Sequence, residues 1–225
     1  MDKQPEKKKV NRRRFLITAG GVMGASLLCC SATGIAAMQQ PPIEFVSKQI
    51  GEGNDMSKKI LVAYASKCGS TGEVAEAVAQ VLAKSGAVVD VRRVQDVRNI
   101  EGYSAVVIGS AARMQKLLPE AVRFAEKHRK ALQNVKTAYF SVGIGMKEDT
   151  TKSREETAVY LQPLCQVRAP SASLGMFGGK IDVSKLEGLY RLAFSFAKDA
   201  MPEGDWRNWD AINAWAEDTA KAILA

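Results

Sequence analysis

The chain has 225 residues, of which 46% are hydrophobic and 25% are charged, so it can form one globular domain with an appended segment. Its formal net charge of +8 does not indicate nucleic-acid binding, because the basic residues form no stripe interleaved with aromatic side chains. The four cysteines show no paired spacing beyond Cys29 and Cys30, which argues against a zinc site, and we expect no bound metal.

Residues 1–38 have the layout of an export signal. A basic head that includes Arg12, Arg13 and Arg14 precedes an uncharged run from Phe15 to Gln40. Residues 11–16 resemble a twin-arginine signal, in which two arginines, any residue and then Phe-Leu precede the apolar stretch. The resemblance implies the twin-arginine export machinery as a partner, and a membrane-anchored or periplasmic location beyond the cytoplasmic membrane.

The fate of this segment has three alternatives. Residues 15–38 are long enough to span a bilayer, so they can remain as an uncleaved membrane anchor. Small residues at Gly34, Ala36 and Ala37 permit cleavage there, and Cys29 and Cys30 leave lipidation open. Residues 39–55, rich in proline and glycine, are predicted to link the segment to a domain at residues 56–225.

The domain begins with a strand, a loop and a helix. Residues 60–65 are uncharged and end in a turn signal, which predicts a buried strand. Apolar residues then recur at helical spacing, which predicts an amphipathic helix from about Ser70. The short loop between them, residues 66–72, consists of small residues apart from Lys67.

Strand and helix signals then alternate to the end of the chain. Further strands are predicted at residues 87–94, 105–109, 137–142 and 171–177. Helices are predicted from Pro119 to about Leu132, after capping boxes that begin at Ser153 and Ser184, and from Asp210 onward. This alternation predicts an α/β three-layer sandwich, with a five-stranded parallel sheet and helices on both faces. Five such strands fit the order 2-1-3-4-5 that is known for open α/β sheets. Ligands of such sheets bind beyond the carboxyl ends of strands one and three.

The loop after the first strand suits a phosphate, because backbone N–H groups and the positive end of the helix dipole point at one spot. It has neither a Walker A pattern nor the three-glycine dinucleotide fingerprint. It resembles the phosphate loop of flavodoxins, (T/S)-x-T-G-x-T, at Ser66, Cys68, Gly69 and Thr71. Cys68 departs from that pattern, because a thiol is a weaker donor than a hydroxyl. An ordinary βα turn is the alternative interpretation.

The resemblance extends over residues 56–225. It includes the stretches VVIGSAAR, YFSVGIG, GGKIDVSKLEGLYRLAF and GDWRNWDAINAWA, in that order. Together they resemble the flavodoxin-domain family that includes the menaquinone-dependent protoporphyrinogen oxidases. The resemblance implies a flavodoxin-like fold and FMN as the cofactor. It places the phosphate at Ser66, Lys67, Cys68, Gly69, Ser70 and Thr71. It also implies that two further loops flank the isoalloxazine ring, which we call the ring loops: Ala111, Ala112, Arg113 and Met114, and Val142, Gly143, Ile144 and Gly145.

The implied function is an FMN-dependent oxidoreductase that passes electrons to a quinone or another small-molecule partner, with Arg113 as the candidate substrate contact. Neither ring loop contains a Trp or Tyr, unlike the loops of electron-carrier flavodoxins, and Met114 could serve as an apolar cover. An FMN electron carrier and a cofactor-free binding protein remain as alternatives. We expect His128 at the surface or its boundary, Cys68 to be an inert small residue, and residues 186–196 to be core.

Overall fold

The computed structural model describes residues 42–168, 170–186 and 203–225. The signal segment, the helix expected after Ser184 and most of residues 186–196 lie outside these ranges. Among the described helices, none combines the length and the apolar character that crossing a bilayer requires.

The described residues form nine strands and five α-helices. The strands are β1 Lys48–Ile50, β2 Asp55–Ala65, β3 Ala87–Arg93, β4 Ala105–Arg113, β5 Lys116–Leu117, β6 Lys136–Val142, β7 Ser173–Phe177, β8 Lys180–Ile181 and β9 Gly204–Asp205. The helices are α1 Ser70–Lys84, α2 Pro119–Lys127, α3 Arg129–Leu132, α4 Thr151–Val167 and α5 Trp209–Leu224.

The central sheet has seven strands, with five parallel strands at its centre in the order β3-β2-β4-β6-β7. Read along the chain, these strands give the predicted order 2-1-3-4-5, so the flavodoxin-like α/β fold is confirmed. The sheet is larger than the five strands expected. Strand β1 adds an antiparallel edge to β3, and β5 folds back on β4 as a short antiparallel arm. Residues 48–50, which the sequence assigned to the linker, are therefore part of the sheet.

Strand β2 supplies side chains to both layers of the core, because successive residues of a strand point to opposite faces. Ile60, Val62 and Tyr64 pack beneath α1 and α5, while Leu61 and Ala63 pack beneath α2 and α4. Both sets are fully buried. The run of apolar residues that predicted a buried strand is thus explained by helices on both faces of a parallel sheet.

Three local predictions differ from the structure. The helix that begins at Pro119 is interrupted at His128, which ends α2 and precedes α3. His128 is buried rather than at the surface, with 8% exposure, and its ring lies 4.7 Å from that of Phe124. Burial lowers the pKa of His128, and the nearby charge of Lys127 adds to this effect. At α4 the cap is Thr150, not Ser153, whose side chain instead completes the capping box.

A buried carboxylate joins β1 to the rest of the sheet. Asp90 on β3 accepts hydrogen bonds from Gln49 Nε2 at 2.9 Å and Tyr103 OH at 2.7 Å, and pairs with Lys59 Nζ at 3.1 Å. Burial alone would raise the pKa of Asp90, but the hydrogen bonds and the lysine charge outweigh it and lower the pKa.

We predict that Asp90→Asn lowers the free energy of unfolding at neutral pH by about 2 kcal/mol, because three partly buried or exposed donors lose the charge of their buried acceptor. The lowered pKa means that the carboxylate stabilises the fold above its unfolded pKa of about 3.9 and loses that effect as pH falls through the folded pKa. Denaturant unfolding between neutral pH and pH about 2 should therefore show a steeper acid loss in the wild type than in the variant.

The control is Asp218→Asn, because Asp218 is an exposed carboxylate that pairs with Lys221 at 2.9 Å. An exposed pair of this kind contributes less than about 1 kcal/mol. Equal losses in the two variants would contradict the structural role of Asp90.

Candidate cofactor site at the carboxyl edge of the sheet

The loop between β2 and α1 closes on itself through one side-chain and one backbone hydrogen bond. Gly69 adopts a left-handed conformation with φ of 89° and directly precedes the first residue of α1. Its N–H donates to Ser66 Oγ at 3.0 Å, and its carbonyl accepts from the N–H of Gly72 at 2.8 Å. The loop therefore has a fixed, compact shape without any ligand contact.

The first turn of α1 presents unused donors inside this loop. The amides of Ser70 and Thr71 have no intrahelical acceptor, and no side chain caps the helix. The hydroxyl of Thr71 is buried and has no hydrogen-bond partner among the described residues. Buried polar groups without partners are rare in folded proteins and call for an explanation, such as a bound anion. These donors fit a phosphate group held at a helix N-terminus.

The two remaining side chains of the loop make contacts elsewhere. Lys67 Nζ pairs with Glu120 Oε1 at 2.6 Å, which joins the loop to the start of α2. Burial would raise the pKa of Glu120, but the hydrogen bond from Lys67 and its charge lower it. Cys68 Sγ lies 3.6 Å from the carbonyl of Lys185, as a donor to that oxygen. Both side chains thus connect the loop to neighbouring segments.

The first predicted ring loop is a tight hairpin rather than an irregular turn. Strand β4 continues to Arg113, and β5 begins at Lys116, so the expected strand end at residue 109 was too early. Met114 and Gln115 at the tip both have positive φ, 50° and 61°. Two-residue hairpins of this kind require left-handed backbone at both positions. Met114 is 83% exposed, while Ala111, Ala112 and Arg113 are partly exposed.

The second ring loop meets the first at Gly143. A Cβ at Gly143 would lie 2.9 Å from Ala112 Cβ, so only glycine permits this approach. The N–H of Gly143 donates to the carbonyl of Phe177 at 3.0 Å. The structure thus brings the two predicted ring loops into contact at the carboxyl ends of β4 and β6. Ile144 and Gly145 are exposed there, whereas the Val142 side chain packs in the core beneath α1 and α5.

Sequence reasoning missed Trp206 as a neighbour of the second ring loop. The backbone N–H of Trp206 donates to the carbonyl of Gly179 at 3.0 Å. A Cβ at Gly178 would collide with the backbone carbonyl oxygen of Trp206 at 2.0 Å. Lys147, just beyond the second ring loop, places Nζ 5.2 Å from the centre of the Trp206 ring. The structure thus places Trp206 next to the loop after β7 and next to Lys147. Its only sequence signal was the GDWRNW stretch.

Arg207 joins the segment at residues 205–207 to α1 through ion pairs. Its side chain is only 4% exposed and bonds Glu73 in the first turn of α1 at 2.7 Å and Asp205 at 2.6 Å. Burial opposes the charge, but the hydrogen bonds that Arg207 donates to Asp205 and Glu73, together with their negative charges, outweigh burial and raise the pKa of Arg207. The segment at residues 205–207 is therefore fixed to both α1 and the loop after β7.

Comparison with known proteins agrees with this geometry. Residues 61–205 match the family model described as a flavodoxin domain. No curated protein matches the sequence of this chain.

Among solved structures, similar ones include a short-chain flavodoxin associated with a non-canonical PDU bacterial microcompartment, at 12% identity and a TM-score of 0.48. That match covers 73% of this chain and 98% of the flavodoxin. The two-electron reduced flavodoxin of Megasphaera elsdenii has 17% identity and a TM-score of 0.46, with coverages of 72% and 99%. The Flv1 flavodiiron core of Synechocystis sp. PCC6803 has 12% identity and a TM-score of 0.49, with coverages of 75% and 36%.

We predict that Thr71→Val weakens FMN binding by about 10- to 100-fold, because a hydroxyl bound to a charged phosphate contributes roughly 1.5–3 kcal/mol. Thermal stability of the cofactor-free protein should not fall, because valine removes a buried hydroxyl that has no partner there. Quenching of flavin fluorescence gives the affinity, and a thermal melt gives the stability.

The control is Thr219→Val on α5, because Thr219 also has a buried hydroxyl without a described partner. Its substitution should leave FMN affinity unchanged. An unchanged affinity in Thr71→Val would remove this hydroxyl from the cofactor site.

Proposed function

This chain belongs to the flavodoxin domain family, and its cofactor is FMN; we propose that it is an oxidoreductase that passes electrons from a reduced substrate to a quinone. We further propose that it acts beyond the cytoplasmic membrane, where residues 1–38 deliver it or hold it. In the overall reaction the substrate loses two electrons and two protons, and the quinone gains both to become a quinol. Bound FMN supplies the two-electron chemistry that links these half-reactions.

The observation that carries the proposal is the charge of the β4–β5 hairpin. Arg113 and Lys116 flank its tip, and the ring loops contain no Trp or Tyr. Cations beside the ring stabilise negative charge, which favours two-electron reduction over the one-electron exchange of a carrier. Met114, exposed at the tip, gives the hairpin an apolar surface for a lipid-soluble partner.

The remaining roles belong to the chain's own residues. The loop from Ser66 to Thr71 binds the phosphate and so fixes the position of the ring. The contact between Gly143 and Ala112 sets the spacing of the two ring loops. Arg113 orients an anionic substrate through a charge-assisted hydrogen bond, as a porphyrinogen carboxylate would allow in the protoporphyrinogen-oxidase version of this proposal.

We predict that Arg12→Lys combined with Arg13→Lys traps the protein in the cytoplasm. The twin-arginine pathway carries folded proteins, which suits a domain that binds its cofactor before transport. Cell fractionation with antibody detection measures the distribution. The double substitution Lys7→Arg with Lys8→Arg keeps the basic head and should not alter export. Normal export of the Arg12 and Arg13 variant would refute the twin-arginine assignment.

We predict that Arg113→Ala raises the KM for an anionic tetrapyrrole by about tenfold or more, because the lost charge-assisted bond contributes roughly 1.5–3 kcal/mol. FMN affinity should change little. Arg123→Ala, an exposed arginine on α2, is the control and should leave KM unchanged.

The same preparation separates an enzyme from a carrier. The reduced wild type should be reoxidised by a soluble quinone analogue, and its absorbance during stepwise reduction should change in a single stage. Two well-separated stages without reaction with any quinone would favour the electron carrier. A colourless protein that takes up no FMN would favour the cofactor-free binding protein.

A further inference from the structure

Residues 42–47, which we name the strap, run along the cofactor edge before the chain enters β1. The sequence assigned them to a linker. In the structure they are held along their length by contacts with β3: the guanidinium of Arg93 lies 3.7 Å from the ring centre of Phe45, and Arg92 donates to Ser47 Oγ at 2.7 Å. The strap is therefore a fixed part of the domain.

The strap covers Gly69 of the phosphate loop. A Cβ at Gly69 would lie 3.3 Å from Ile43 Cγ2 and 3.7 Å from the carbonyl oxygen of Glu44. Apart from Gly69 and its two chain neighbours, no other atom of the described residues lies within 4 Å of that position. Gly69 is buried as a result, although it belongs to a surface loop. Ile43 thus supports the one residue whose left-handed conformation shapes the loop.

A second contact reaches the helix that follows. The hydroxyl of Tyr64, at the end of β2, donates to the carbonyl of Val46 in the strap at 2.9 Å. The ring of the same tyrosine lies against Gly72, where a Cβ would come within 2.9 Å of it. Burial raises the pKa of Tyr64 to about 12, so its hydroxyl stays protonated and can donate throughout the physiological range. Tyr64 therefore links the strap to the first turn of α1.

We propose that the strap is a positioning element of the phosphate site. Ile43 and Tyr64 hold Gly69 and Gly72 in the arrangement that directs the amides of Ser70 and Thr71 at a phosphate. Retention of FMN then depends on residues that precede the flavodoxin-like core in sequence, and that connect it to the export segment. The inference rests on FMN being the cofactor of the proposed function.

The proposal makes a claim about the phosphate alone, which riboflavin can test because it has the ring of FMN but no phosphate. In the full-length protein, Tyr64→Phe removes only the hydroxyl that holds Val46. We expect FMN affinity to fall about 5- to 10-fold, as for the loss of one hydrogen bond, while riboflavin affinity stays the same. Titration of both flavins by fluorescence gives the ratio of the FMN affinity to the riboflavin affinity.

The matched control is Tyr103→Phe, which removes the hydroxyl that donates to Asp90 at 2.7 Å on the other face of the sheet. It should destabilise the fold without changing the ratio. A second pair of variants keeps the test valid if Tyr64→Phe fails to fold. Ile43→Ala should lower the ratio, whereas Ile50→Ala, at a half-buried isoleucine of β1, should not.

The outcomes separate the two proposals. A wild type that binds FMN, with a ratio that neither Tyr64→Phe nor Ile43→Ala changes, overturns the role of the strap and leaves the oxidoreductase proposal standing. A proportional loss of both flavins also overturns it, because that result indicates a general loss of structure. A wild type that binds neither flavin refutes both proposals. Flavin binding with a lowered ratio but no quinone reaction supports the strap and refutes the oxidoreductase.

Discussion

The left-handed turn at Gly69 is the constraint on which the cofactor edge depends. A φ of 89° is readily adopted only by glycine, and here it allows the chain to leave a buried strand and enter α1 within a few residues. The same absence of a side chain admits Ile43 to within van der Waals contact. One residue thus shapes the loop between β2 and α1, starts the helix and accommodates the strap, and a residue with a side chain would disturb all three.

Ion pairs join the elements around this turn. Lys67 joins the loop to α2 through Glu120, and Arg207 joins α1 to the segment after β9 through Glu73. The first pair is partly exposed, so its net contribution to stability is small. The second has a buried guanidinium that also pairs with Asp205, so removal of both carboxylates would leave an uncompensated charge. Rigidity around the phosphate loop therefore comes more from Arg207 and from packing than from Lys67.

Local signals in the sequence predicted the parallel sheet and the loop that joins β2 to α1. The apolar run at residues 60–65 and the helical spacing after Ser70 each depend on neighbours within one element, so a pattern reveals them. The β4–β5 hairpin escaped detection because Met114 and Gln115 lack the glycine or asparagine that usually marks such a turn. Strand β1, the strap and Trp206 escaped because their positions are fixed by partners far away in sequence, such as Asp90, Gly69 and Gly179.

The pairing of β1 with β3 also covers a sheet edge that could otherwise pair with strands of other chains. Its three residues occupy the outer N–H and C=O groups of β3, a strand rich in valine. A truncated version beginning at Met56, where composition suggests that the domain starts, would present that strand as an open template. Open edges of this kind pair with strands of other chains, so β1 protects the domain against aggregation. The shortest version of the domain that can remain monodisperse therefore includes β1.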